Sequence, residues 1–177
     1  MRIVAGRSRG RTLKAPAGSE TRPTSDKVRA AIFNVLGQFF SGGRVLDLYA
    51  GTGAMALEAL SRGCASATCV ESSKAGAACI RANADACGFG RQVEIRCERV
   101  EQALGRMAGP FDLVFLDPPY GEGPETALAR LEPVLRKDGL AVAEHDVRQP
   151  PGERYGRLTL VERRVYGRTG VSIYRLG

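Results

Sequence analysis

Apolar positions recur along this chain with two distinct periods. Val28, Ala31, Ile32, Val35, Leu36 and Phe39 follow an i, i+3, i+4 spacing, which predicts an amphipathic helix. Thr24 or Ser25 is placed to cap its start, and Gly42-Gly43 to end it. Beyond that point short apolar runs alternate with helical stretches. Strands are predicted around 45–49, 67–71, 93–97, 112–117 and 140–144, and helices around 54–62, 73–86, 100–107 and 124–136. Such alternation implies an α/β fold, a parallel sheet with helices on both faces. The tail departs from it. Leu158-Thr159-Leu160-Val161 and Val171-Ser172-Ile173-Tyr174, joined through Gly167 and Gly170, read as a closing antiparallel hairpin. At the other end Ile3, Val4 and Leu13 flank a turn at Gly6–Gly10 and read as a second, shorter hairpin. No repeat or low-complexity linker appears, and Pro150-Pro151-Gly152 is a loop. Residues 1–177 are therefore expected to form one domain, with 1–24 as an N-terminal arm.

Charge changes this picture at one end only. The net charge is +7, and residues 1–29 carry eight basic side chains against two acidic ones. The remaining chain is near neutral. A basic arm on a neutral body is the electrostatic footprint of a nucleic-acid binder, with Arg2, Arg7, Arg9, Arg11, Lys14 and Arg22 as the candidate contacts. The alternative is a solvated tail, against which the hairpin pattern weighs. Cys64, Cys69, Cys79, Cys87 and Cys97 form no C-x-x-C pair, and His145 is the only histidine, so no metal site is expected. The cysteines read as small core residues in a reducing compartment. With no apolar leader and no run of membrane-spanning length, the expected location is the cytoplasm, without a membrane partner.

Two strand ends carry chemistry. Val45-Leu46-Asp47-Leu48-Tyr49 runs into Ala50-Gly51-Thr52-Gly53, and a helical pattern follows. Gly51 and Gly53 let backbone approach a ligand closely. As G-x-G-x-x-A this is a weak nucleotide fingerprint. Asp47 refines it, because a carboxylate there would repel a pyrophosphate and favour a cation. S-adenosylmethionine (SAM) carries a sulfonium and an ammonium and no phosphate. The next strand ends at Glu71, where an acid in this βαβ arrangement accepts ribose hydroxyls. The competing reading makes both acids helix caps.

The other strand end is Asp117-Pro118-Pro119-Tyr120, after Leu113-Val114-Phe115-Leu116. Two prolines stop both helix and strand and stiffen the backbone. A carboxylate and a fixed carbonyl can accept both hydrogens of a planar NH₂ group while the ring stacks on its face. That suits methylation of an exocyclic amine on a nucleobase. A solvated strand-end turn is the alternative. In open α/β sheets ligands lie beyond the carboxyl ends of the strands, so Asp47, Glu71 and Asp117 are expected on one rim.

With these motifs in place, the chain resembles the class I SAM-dependent methyltransferases. More narrowly, it is similar to bacterial 16S rRNA guanine-N2 methyltransferases of the small-subunit methyltransferase D type. The resemblance rests on Met1 to Gly6, Arg22-Pro23-Thr24-Ser25-Asp26-Lys27-Val28-Arg29, Phe33-Asn34, Leu46 to Gly53, Glu58 to Gly63, and Asp117 to Tyr120. It implies a Rossmann-like, mostly parallel seven-stranded sheet with an antiparallel C-terminal hairpin. It implies that Asp117, Pro118 and Tyr120 hold the target guanine, and that Thr24, Asp47, Tyr49, Gly51, Gly53, Glu71 and Val100 line the SAM site. Relatives usually place Asp or Asn near the adenine where Arg99 stands here, so a backbone N–H of Val100 or the side chain of Glu98 is the candidate. His145 falls where the family has a Glu-His pair, and a supporting role is favoured. The implied partner is 16S rRNA, with guanine 966 as target, in a partly assembled small subunit. A monomer is expected. The rivals are a DNA adenine-N6 methyltransferase and a noncatalytic RNA-binding or assembly protein.

Overall fold

In the computed structural model, which describes residues 1–16, 25–119 and 121–177, helix α1 spans Asp26–Leu36. Of the two predicted caps, Ser25 accepts a hydrogen bond from the Val28 N–H at 3.2 Å, while Thr24 lies outside the described residues. The helix ends earlier than its apolar stripe. Gly37 takes φ 108°, outside helical space, so Phe39 leaves the stripe and stands 66% exposed.

Eight strands form one sheet in the order β3-β2-β1-β4-β5-β8-β7-β6. They are β1 (Arg44–Leu48), β2 (Ser66–Val70), β3 (Val93–Arg96), β4 (Phe111–Leu116), β5 (Leu135–Asp146), β6 (Arg154–Tyr155), β7 (Leu158–Tyr166) and β8 (Thr169–Leu176). The first five run parallel, and β8 returns antiparallel between β5 and β7. The eighth strand, beyond the seven expected, is the two-residue edge strand β6. Helices α2 (Ala54–Ser61), α3 (Lys74–Ala86) and α4 (Val100–Arg106) follow prediction closely. The helix expected over 124–136 does not: α5 covers only Glu125–Leu128, and Leu135 already begins β5. Pro133 has no N–H and clashes with the preceding turn, so the apolar spacing could not continue as helix.

Strand residues alternate between two cores. Val45 and Phe115 pack with Phe33, Leu57 and Ile80 on one face, while Leu46, Leu48 and Leu116 pack with Leu128 and Tyr174 on the other. Asp47 therefore points to the face covered by α2 and α3. Cys64, Cys69 and Cys87 are buried as expected. Cys79 is only half-buried, since it lies mid-helix beside the buried face that Gly76, Ile80 and Asn83 form, and Cys97 is exposed just past the end of β3. Among the described residues no helix is long and apolar enough to cross a membrane.

The N-terminal hairpin is present with one bridge, Arg2 to Thr12, supported by Ile3 N–H to Arg11 O at 2.9 Å and Leu13 N–H to Met1 O at 3.0 Å. Ile3 and Leu13 insert into the core. The hairpin is seated on α2. The fully buried Glu58 accepts the Val4 and Ala5 N–H groups at 2.8 and 3.0 Å, and Ser61 Oγ accepts the Ser8 N–H at 2.9 Å. A Cβ on Gly6 would fall 1.9 Å from the Ser61 carbonyl oxygen, so only glycine permits this approach.

Candidate active site

Parallel register sets the rim. Leu48 pairs with Val70 of β2 and with Leu116 of β4, so Tyr49, Glu71 and Asp117 are each the next residue on three adjacent strands. At ordinary strand spacing the two outer positions lie about 10 Å apart. Asp47 sits two residues behind this row.

The chain after β1 turns through left-handed backbone at Tyr49 (φ 63°), Gly51 (φ 55°) and Gly53 (φ 76°). A positive φ is uncommon for an aromatic residue and marks a tightly specified turn. Gly53 is the N-cap of α2. With no side chain there to serve the helix start, Asp47 does so, its Oδ2 accepting the Ala56 N–H at 3.0 Å. Glu71 braces the same loop, with Oε2 accepting the Gly51 N–H at 2.9 Å and Oε1 the Ser73 N–H at 2.8 Å. Glu71 lies close over α3, where a Cβ on Gly76 would stand 2.7 Å from its Cγ. Both acids thus hold backbone, as the capping alternative requires. Each ionised carboxylate has about four lone-pair sites, so acceptor capacity is left for a ligand.

Burial pushes the Asp47 carboxyl up to about 7; the Ala56 hydrogen bond opposes this, and the charges of Asp117 and Glu71 add to it. Tyr49 is half-buried, its hydroxyl pushed up to about 12 by burial and by Glu101 and Glu122. Asp117 is exposed, Pro118 half-buried, and the Pro119 carbonyl accepts the Glu122 N–H at 3.0 Å. Tyr120, like Thr24 and Arg22, lies outside the described residues.

Val100 is the first residue of α4 and is buried, and the first N–H groups of a helix have no partner within it. Glu98 pairs with Arg106 at 2.6 Å, and Arg99 with Glu101 at 3.5 Å. On β5 the register carries the row to Glu144, one residue before His145, whose Nε2 is 2.9 Å from Ser172 Oγ and whose Nδ1 is 2.9 Å from the Asp146 carbonyl, tying β5 to β8. Among the described residues no group of three or more His, Cys, Asp or Glu could hold a metal ion. A hollow of about 300 Å³ lined by Arg44, Asp112 and Arg136 lies at the opposite ends of the strands and contains none of the predicted site residues.

Arg2, Arg7, Arg9, Arg11 and Lys14 are exposed on the hairpin. Arg29, counted with them in the sequence, is not. It is fully buried, donating to Arg2 O and Asp26 Oδ1 at 2.6 Å each, with its Nε 3.6 Å from Glu58. Sequence reasoning also missed Glu58 and Asn83 as structural centres. The Asn83 amide donates to Lys14 O and Thr52 O at 3.0 Å, joining the hairpin's exit to the glycine loop. The signal for Glu58 was a lone carboxylate among Leu57, Ala59 and Leu60, with Arg62 four residues on.

Residues 1–175 match the model of a family described as conserved hypothetical protein 95. The chain belongs to that family. The Bacillus subtilis protein YlbH, whose name assigns it to the rRNA methyltransferases, is 39% identical over 99% of this chain and 98% of its own. The ribosomal RNA small subunit methyltransferase D of Escherichia coli is 36% identical over 70% of this chain, and the match spans 62% of that protein. A solved Escherichia coli structure whose name assigns yhhF to the methyltransferases superposes with TM-score 0.89 at 30% identity, covering 99% of this chain and 97% of that one. The expected kinship and the class I methyltransferase fold are therefore met, including the reversed last strand.

Proposed function

We propose that this protein is a single-domain, cytoplasmic, monomeric enzyme that methylates the exocyclic N2 amine of a guanine in 16S rRNA, with guanine 966 as the target, while the small subunit assembles. The observation that carries the reading is the row of Glu71 and Asp117 level with the glycine loop, with Asp47 buried behind it, in a chain whose relatives are named as rRNA methyltransferases.

The donor set fits SAM. The charges of Glu71 and Asp117 raise the proton affinity of the buried Asp47, an effect a cation relieves and a pyrophosphate aggravates. A Cβ on Gly51 would meet little but the Tyr49 carbonyl oxygen at 4.0 Å, so the loop backbone is open to a ligand. Glu71 would accept ribose hydroxyls, Asp47 and Tyr49 would face the charged end, and Thr24 would close over it. Glu98 and Arg99 are paired elsewhere, which favours the Val100 N–H as the adenine contact. When bound, SAM supplies an electrophilic methyl group on a sulfonium.

The chain's own work is positioning. Guanine N2 is a poor nucleophile because its lone pair is shared with the ring. Asp117 and the Pro118 carbonyl would accept its two hydrogens, favouring a pyramidal nitrogen with a localised lone pair. Tyr120 would stack on the extruded base. No strong base is needed, since the methylated nitrogen is cationic and loses its proton readily. Arg2, Arg7, Arg9, Arg11, Lys14 and Arg22 would hold phosphates.

The test incubates the protein with methyl-labelled SAM and, in parallel, free 16S rRNA, partly assembled small subunits or duplex DNA, then maps the label. Label on N2 of one guanine is the expected result. Label on adenine N6 of DNA would establish the adenine-methyltransferase rival, and no label in any substrate the noncatalytic one.

A further inference from the structure

The basic hairpin does not stop at the rim. Met1 Sδ lies 3.8 Å from Thr52 Oγ1 in the glycine loop, Val4 and Ala5 bond Glu58, and the Arg7 N–H donates to Ser61 O at 2.8 Å. The strand thus follows α2 from its start to its end, about 12 Å for eight residues. At that far end lies an open groove of about 620 Å³, lined by Gly6, Arg7, Arg9, Phe39, Phe40 and Arg62.

Phe39 is the unusual member. It is a large apolar side chain at 66% exposure, on backbone that is tied on both sides. The Gln38 carbonyl accepts from Arg62 Nη1 at 3.1 Å, the Phe40 N–H donates to Arg62 O at 2.9 Å, and the Gly42 N–H donates to Gly63 O at 3.1 Å. Arg62 is held in turn by Glu58 at 2.7 Å and lies over the Phe33 ring at 4.7 Å. A Cβ on Gly63 would fall 2.2 Å from Phe40 O, so the loop and the end of α2 meet through glycine. The ring is therefore presented from a rigid seat, beside two exposed arginines.

We propose that this groove is a second RNA subsite, in which Phe39 stacks one unpaired base while Arg7 and Arg9 take the flanking phosphates. The proposal rests on the RNA-methyltransferase reading above. A fixed aromatic face beside guanidinium groups is the combination that binds single-stranded nucleic acid without reading its sequence. A protein partner would also cover an exposed ring, but three arginines, two of them exposed, with no acid in the lining favour a polyanion. The subsite lies one helix length from the rim, so it would hold RNA a few nucleotides away from the target base.

The experiment measures binding of fluorescein-labelled twelve-nucleotide oligoadenylate, and separately of whole small subunits, to wild type, Phe39→Ala, Phe39→Tyr and Arg7→Gln/Arg9→Gln, with small-subunit methylation by wild type as control. Phe39→Ala is expected to weaken binding at least fivefold, the least that loss of one stacked base produces. Phe39→Tyr should match wild type, and the melting temperatures of both should be unchanged because the ring is exposed. The double arginine variant should weaken binding and flatten its salt dependence. Phe39→Ala binding within twofold of wild type would overturn the subsite, while methylation by wild type would leave the enzyme reading standing. If Phe39→Ala weakens binding only to whole small subunits and not to oligoadenylate, the occupant is a ribosomal protein and the proposal fails. Absence of methylation by wild type would instead strike the reading beneath it.

Discussion

Helix α2 touches two buried carboxylates that live under opposite conditions. Glu58, beneath the hairpin, accepts two backbone N–H groups and the Arg62 guanidinium, with Arg29 at 3.6 Å. Asp47, at the rim, has the Ala56 N–H as its hydrogen bond and two further carboxylates in its field. Both are almost wholly removed from water. Burial alone therefore does not distinguish structure from function here. The Glu58 charge is compensated by groups of the chain itself, so it holds elements together. The Asp47 charge is under-compensated, and under-compensated buried acids are where a cationic ligand gains most.

The largest effect should come from the outermost acid of the rim. Asp117→Ala removes the acceptor proposed to orient the target amine, and methyl transfer should fall at least about a hundredfold, as when a preorganised polar group at a reacting centre is lost. SAM affinity, measured by calorimetry, should stay within a few-fold. Substantial turnover in the variant would show that the amine is not held there.

Glu58→Gln attacks the compensated side. Two buried guanidinium groups lose a charge partner, a loss that typically destabilises a fold by about 3–5 kcal/mol. Denaturant unfolding should show it, and the hairpin should become the first site of proteolytic cleavage. If the hairpin stayed as resistant as in wild type, the backbone bonds and not the charges would be its anchor.

These two acids also mark how far the sequence could be read. Parallel alternation, the glycine turn, and the ends of β1, β2 and β4 followed from local spacing, because each depends on nearby residues. The rim row followed too, since parallel strands place their carboxyl ends together. Glu58 and Arg29 were only partly legible: Arg62 and Asp26 are local ion partners, but the Val4 and Ala5 N–H groups lie 54 and 53 residues from Glu58, and the two charges are 29 apart. The overlong reading of α5 had a different cause: apolar spacing was weighed above Pro133, which forbids helix. Phe39 was read as core because its spacing fits the stripe, and one glycine with positive φ removes it.

The under-compensated side carries its own pH signature. Asp47 titrates near 7 in the folded chain against an ordinary 3.8. Between those values the folded protein keeps a proton that the unfolded chain releases. Stability should therefore fall as pH rises from about 4 to about 7 and then level off. Cation binding should move the other way, since SAM favours the ionised carboxyl. Its affinity should rise up to about tenfold per pH unit toward 7 and flatten above. Asp47→Asn keeps an oxygen for the Ala56 N–H and should abolish both trends. A pH-independent SAM affinity in wild type would mean that Asp47 is a helix cap and nothing more.

The smallest effect tests whether the hairpin's compensation ends at its seat. Arg9, Arg11 and Lys14 are exposed, and their side chains lie outside the Glu58 network, so changing all three to Gln should leave the melting temperature within about a degree. Their charges face solvent, where an ion pair with protein gains little but a phosphate contact releases a condensed counterion. For single-stranded RNA each lost phosphate contact should reduce the slope of log affinity against log salt by about 0.7. The triple variant should therefore lose a slope of about 2 if all three touch RNA, with proportionately less if one points away. SAM affinity should not change, because these residues stand off the rim. An unchanged slope with unchanged stability would mean that these three charges serve solubility, and any phosphate contact of the hairpin would then fall to Arg2 and Arg7.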